Sequence, residues 1–85
     1  MNIELRFFAG IREALGTAGE SLALPLHVQT VGDVRTYLRD RGAPWSEVLA
    51  DGRVVRMAFN QAMTEATQRI TEGCEVAFFP PVTGG

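Results

Sequence analysis

The sequence predicts an α+β fold in which a mixed sheet is packed on one face by a single main helix. Three observations predict it. The chain opens on alternating apolar and charged residues, it holds one capped stretch of helical apolar spacing from Thr30, and its last apolar run, residues 74–79, reads as a strand that prolines end.

In the opening strand, residues 3–8, Ile3, Leu5 and Phe7 share one face and Glu4, Arg6 and Phe8 the other. Residues 9–15 suit a short helix stopped by Gly16. Residues 20–24 form a second strand, in a meander with the first, before Pro25 interrupts it. Thr30-Val31-Gly32-Asp33 has the form of a capping box, with the Thr30 hydroxyl placed to accept from the third helical N–H and an acid near the positive helix end. Val31, Val34 and Leu38, with Tyr37 beside them, make the core stripe of that helix. Arg35, Arg39 and Arg41 are expected to face water, and Gly42 to supply the stop.

Residues 44–49 predict one or two helical turns opening on Pro44, and Asp51-Gly52 a turn. Residues 54–59 read as the best strand of the second half. Asn60-Gln61 begins a connection, Ala62-Met63 forms a short edge strand, and Thr71-Glu72-Gly73 turns the chain into the last strand. A right-handed crossover through the main helix would set the first and last strands side by side in the sheet centre, provided they run parallel. This order is the layout of a β-grasp, or ubiquitin-like, domain; a ferredoxin-like fold needs two comparable helices. The expected organisation is one domain over residues 1–79 and an extended tail over residues 80–85.

The totals bound the function. Eighty-five residues, 46% hydrophobic, fit one compact domain. A net charge of -2 offers no field for phosphates, so nucleic acid is not an expected partner. The first residues lack a basic start and a long apolar run, and no run approaches the roughly 20 residues of a membrane span, so a cytoplasmic protein with no membrane partner is expected. One cysteine, Cys74, and one histidine, His27, supply neither a disulfide nor a metal site.

No enzyme constellation is visible. His27 has no paired nucleophile and reads as a surface or strand-end residue, and no glycine-rich phosphate loop follows a strand. Cys74 shares parity with Val76 and Phe78, which fits a small core residue, while its place just after a turn fits partial exposure equally. All eight basic residues are arginine. Genome composition is the favoured explanation; the other is that an activated acyl terminus would acylate lysine amines, which guanidinium resists.

The unusual chemistry lies in the last eight residues, FFPPVTGG. Pro80 and Pro81 have no N–H to give a neighbouring strand, and their fixed φ stiffens the exit. Six residues, 80–85, reach about 20 Å when extended, enough to enter another protein's active site. Gly84 and Gly85 let the backbone pass a channel too narrow for side chains. A residue after Gly85 would replace the carboxylate that this reading makes reactive.

Residues 72–85, Glu-Gly-Cys-Glu-Val-Ala-Phe-Phe-Pro-Pro-Val-Thr-Gly-Gly, resemble the C-terminal signature of the small, sulfur-carrying subunits of molybdopterin synthase. Residues 5–16 resemble the start of that family, and residues 55–61, ending in Ala-Phe-Asn-Gln, its Val-Asn-Gln segment. Cys74 departs from the acidic residue frequent there, and no role is carried onto it.

The resemblance implies a carrier whose tail is its active site. The Gly85 carboxylate would be adenylated with Mg-ATP by a ubiquitin-activating-type enzyme. A persulfide donor would then displace AMP to leave a thiocarboxylate, and the chain itself would bind no cofactor. The large synthase subunit, in an expected heterotetramer, would receive the tail and pass its sulfur to cyclic pyranopterin monophosphate. Phe8, Arg12, Met63 and Phe79 match positions of the family's partner-binding surface, and Pro80, Pro81, Val82 and Thr83 carry the tail to its target. The chain would thus be a sulfur-donor subunit, not an enzyme alone. The alternatives are a thiazole-pathway sulfur carrier, a ubiquitin-like protein modifier and a plain interaction domain with an inert tail.

Overall fold

The computed structural model describes residues 1–81. Its elements run β1 (Asn2–Phe7), α1 (Ala9–Leu15), β2 (Gly19–Ala23), α2 (Val31–Arg39), α3 (Trp45–Val48), β3 (Arg56–Phe59), β4 (Ala62–Thr64) and β5 (Glu75–Phe79). The strands form one five-stranded sheet in the order β2-β1-β5-β3-β4. β1 and β5 are parallel and central, as the crossover through α2 requires, and every other pairing is antiparallel. This is the β-grasp arrangement expected from the order of elements.

One face of the sheet is the core. Ile3, Leu5 and Phe7 of β1 and Val76 and Phe78 of β5 are fully buried against Val31, Val34 and Leu38 of α2 and Leu49 beyond α3. Burying each such side chain contributes roughly 1.5–3 kcal/mol, so these two strands and α2 carry most of the stability. The Phe7 ring stacks on Phe78 at 6.2 Å and meets the Trp45 ring edge to face at 5.5 Å, tying both strands to α3. Tyr37 packs against the cluster, half-buried. Cys74 is 3% exposed and belongs to the core, which decides between the two readings of its parity.

Local chemistry sets the element ends. The capping box of α2 is complete: Asp33 N–H donates to Thr30 Oγ1 at 3.1 Å, and Thr30 N–H donates to the Asp33 carboxylate at 3.2 Å. Gly16 ends α1 in the left-handed region at φ 73°. Gly19 lies opposite Arg6, where an added Cβ would stand 2.1 Å from the Leu5 carbonyl oxygen, so only glycine fits. Asn60 and Gln61 take positive φ in the two-residue β3–β4 turn, and the Asn60 side chain accepts from Glu75 N–H at 2.9 Å.

Several expectations need correction. Arg35 does not simply face water: its guanidinium donates to the carbonyls of Leu49 at 2.8 Å, Ala50 at 2.6 Å and Arg53 at 3.0 Å. Arg39 pairs with Asp51 and Arg41 with Glu20, and the Arg41 guanidinium also covers the Trp45 ring at 4.5 Å. The third strand is shorter than residues 54–59 because Val54 is exposed and residue 56 is the first to pair with β5. Pro44 caps α3 instead of opening it, and Phe8 and Cys74 flank β1 and β5 without belonging to them. Among the described residues, no helix is long and apolar enough to cross a membrane.

Candidate functional site: the open sheet face and the tail exit

Strand parity decides what the other face of the sheet presents. The registers Arg6↔Ala77, Ala58↔Ala77 and Ala58↔Met63 put Arg6, Ala77, Ala58 and Met63 in one row across four strands. Phe79 stands opposite Arg56 in the next row. Phe8 continues the extended direction of β1 before α1 begins, and its N–H donates to the Phe78 carbonyl at 3.2 Å. The Phe8 and Phe79 rings therefore meet edge to face, 6.3 Å between centroids, and the Arg6 guanidinium lies 5.8 Å from the Phe8 ring.

The result is a shallow apolar surface with a basic rim. Its floor is Ala58 and Ala77, 7% and 3% exposed. Its raised parts are Phe8, 40% exposed, Met63, 58% exposed, and half-buried Phe79. Arg6 and Arg56 lie at its margins, and Arg12 follows one turn after Phe8, its N–H donating to the Phe8 carbonyl at 3.3 Å. Large exposed aromatic and methionine side chains around small ones, with charge outside, have the anatomy of a protein-docking surface.

The tail leaves at one end of this face. Pro80 and Pro81 do not stand clear of the domain: they are half-buried and help to line a groove of about 410 Å³. Ile11 and Ala14 of α1 form one wall, and Arg53, Val54 and Val55 after α3 the other. The Arg35 bond to the Arg53 carbonyl holds that second wall in place. The structure thus brings Phe8, Phe79, Pro80 and Pro81 together, sets Arg12 beside them and places Met63 two strands from Phe79 on the same face. Val82, Thr83, Gly84 and Gly85 lie outside the described residues.

Arg6, Arg56, Ala58 and Ala77 were missed as site residues. Parity alone links Arg6 to Phe8 and Ala77 to Phe79, but Arg56 and Ala58 join them only through the β3–β5 register. His27 lies far from this site, exposed in a small cleft with Asp33, Tyr37 and Asp40. Among the described residues, no three metal-ligating side chains converge.

Comparison with known proteins places this geometry in a lineage. The model of the ThiS family matches residues 5–85. The molybdopterin synthase sulfur carrier subunit of Escherichia coli (strain K12) is 39% identical over 83 residues, covering 98% of this chain and 99% of that protein. The subunit of the same name from Haemophilus influenzae is 35% identical over the same shares. Among solved structures, SAMP1 from Haloferax volcanii superposes with a TM-score of 0.75 at 24% identity, each chain fully covered. Subunit 1 or 2 in the protein-protein complex of the Helicobacter pylori molybdopterin-converting factor superposes with a TM-score of 0.67 at 22% identity, also with full coverage of both chains.

Proposed function

This chain belongs to the ThiS family, and from that premise we propose that it is the sulfur-carrying small subunit of a molybdopterin synthase, acting in molybdenum cofactor biosynthesis. One observation carries the reading: the end-to-end likeness to two sulfur carrier subunits of that synthase. The apolar face supports it, since a carrier must dock on a large subunit.

In this reading the Gly85 carboxylate is the working group. A carboxylate is a poor electrophile, so a ubiquitin-activating-type enzyme first adenylates it with Mg-ATP, releasing pyrophosphate. The outer sulfur of a persulfide donor then attacks the carbonyl and AMP departs, leaving an acyl persulfide; a thiol cleaves its S–S bond, the donor ending in a disulfide and Gly85 as a thiocarboxylate. That group is ionised at neutral pH and nucleophilic for the reason a thiolate is. Phe8, Met63 and Phe79 anchor the large subunit, with Arg12 at the edge of the contact, and Pro80 and Pro81 direct Val82, Thr83, Gly84 and Gly85 into its active site. There the sulfur passes to cyclic pyranopterin monophosphate. The chain supplies sulfur and docking, and its partner supplies catalysis within a heterotetramer.

Intact-mass spectrometry tests this. After incubation with the activating enzyme, Mg-ATP, a persulfide donor and a thiol to cleave the acyl persulfide, the chain is expected to gain about 16 Da as sulfur replaces oxygen at Gly85, the change that acyl activation and displacement require. An unchanged mass would exclude a sulfur carrier, and covalent attachment to lysines of other proteins would indicate a modifier.

A further inference from the structure

The open face of the sheet is apolar in the middle and divided in charge along the strands. Row by row, Glu4 stands beside Glu75, Arg6 beside Ala77 and Ala58, and Arg56 beside Phe79. The two carboxylates thus lie toward the starts of β1 and β5, and the arginines toward their ends. The first row is the unexpected one. Glu4 and Glu75 are direct partners in the register of the two central strands, and like charges placed opposite each other on one sheet face weaken a fold.

Among the described residues the ion pairs are Arg39 with Asp51 and Arg41 with Glu20, so neither Glu4 nor Glu75 takes part in one. Glu4 accepts from the Ser21 hydroxyl, a neutral donor on β2, at 2.6 Å, and at Glu75 it is the backbone N–H that bonds, to the Asn60 side chain. Arg6, two residues beyond Glu4, has its guanidinium 5.8 Å from the Phe8 ring. The acidic pair stands one row from the floor of Ala58 and Ala77 and about 13 Å along β5 from Phe79. A specific interface covers about 800 Å² of each partner, so a protein seated on Phe8, Met63 and Phe79 also covers Glu4 and Glu75. Two carboxylates taken from water without an opposite charge oppose such a contact strongly, and a cation set between them offsets both the desolvation and the repulsion.

We propose that this face selects and orients the large synthase subunit by charge: it accepts a docking surface that sets an arginine or lysine over Glu4 and Glu75 and carboxylates against Arg6 and Arg56. A guanidinium or ammonium between two carboxylates makes charge-assisted hydrogen bonds to both, and the Ser21 hydroxyl fixes the Glu4 carboxylate from the β2 side. Turning the partner end for end would set its cation on the arginines and its acids on the glutamates. The division of charge therefore admits one docking direction. The Phe8–Phe79 pair and Met63 give contact area in either direction and make no such choice.

This inference rests on the proposed synthase reading, and its test separates the two. Calorimetric titration of the full-length chain with the large subunit of the same organism compares the wild type, the double variant Glu4→Gln/Glu75→Gln, Phe79→Ala and, at the end of α2 in the helix layer, Asp40→Asn. The double variant is expected to raise Kd about 10-fold or more, the order for removing one side of a covered charge contact. The same change should raise the melting temperature of the isolated chain, because it relieves the like-charge pair. Weaker docking by a more stable chain is a combination that a structural role for the glutamates would not produce. Asp40→Asn is expected to bind as the wild type does. If the double variant binds as tightly as the wild type while Phe79→Ala binds weakly, the inference is overturned and the synthase reading stands. A fall of affinity and melting temperature together, or an equal loss of affinity in Asp40→Asn, overturns the inference as well. So does a wild-type homodimer in sedimentation velocity that the double variant abolishes, which would give the face to a second copy. Absence of binding by the wild type overturns the synthase reading, and the inference with it.

Discussion

Phe8 and Phe79 meet edge to face, 6.3 Å between ring centroids, on the face of the sheet opposite the core. They come from opposite ends of the sequence, and parallel pairing of β1 with β5 makes them neighbours. The pair is half exposed while Phe7 and Phe78, one residue earlier on each strand, are completely buried. Two adjacent aromatic pairs thus stand on opposite faces of the sheet, one inside the core and one on the open face.

Phe79→Ala is therefore expected to weaken docking more than folding. Loss of an aromatic anchor costs about 2 kcal/mol of binding, roughly 30-fold in Kd, while the half-buried ring contributes about 1 kcal/mol to stability. Calorimetric titration against the large subunit and urea denaturation of the isolated chain measure the two. A stability loss of about 3 kcal/mol or more would make Phe79 a core residue.

Much of this was legible in the sequence, for physical reasons that vary by residue. The alternation of residues 3–8 assigns Phe7 inward and Phe8 outward because strand side chains have a period of two. The capping box of α2 is legible because its partners are three residues apart. Arg35 is not, since its acceptors lie 14 to 18 residues away and nothing local announces them. The tail groove is hidden for the same reason: its walls come from α1 and from the segment after α3, which only tertiary packing brings to Pro80 and Pro81.

Arg35 supplies the second prediction. Three carbonyls at the end of α3 and in the following loop share one guanidinium, and burial pushes its pKa down from the ordinary arginine value. Lysine cannot reproduce a planar fork that serves several acceptors. Arg35→Lys is expected to cost about 2 kcal/mol, the order of a lost charge-assisted hydrogen bond. It should also speed amide exchange at residues 53–55 on the groove wall. Unchanged exchange there would show that the wall stands without Arg35.

Asp33 gives a pH dependence of known sign. Its carboxylate is held below the usual aspartate range, first by the Gln29 N–H at 3.0 Å and then by the Thr30 backbone and side chain, with a contribution from His27 and against an opposing effect of burial. A carboxyl whose folded pKa lies below its unfolded one stabilises fully above the unfolded value, and the gain is lost as pH falls through the folded value. The melting temperature of the wild type should therefore exceed that of Asp33→Asn most near neutral pH, and the gap should close on acidification through the carboxylate range. A gap that widens in acid would contradict the capping role.

The tail supplies the last prediction. Among the described residues, the buried side chains lie between Ile3 and Phe78, and the groove contacts end at Pro81. Removing Gly84 and Gly85 therefore takes away no core group, and terminal residues outside the packed elements contribute little to stability. The melting temperature is expected to stay within about 1 °C, a shift that corresponds to a few tenths of a kcal/mol for a domain of this size. Sulfur loading and transfer should nevertheless vanish. Adding one alanine after Gly85 sharpens the test, because it preserves every residue yet moves the carboxylate to a side chain-bearing position. Loading of the extended chain at the wild-type rate would mean that the activated group is not the Gly85 carboxylate. A large loss of stability on removing the two glycines would mean that the tail is part of the fold.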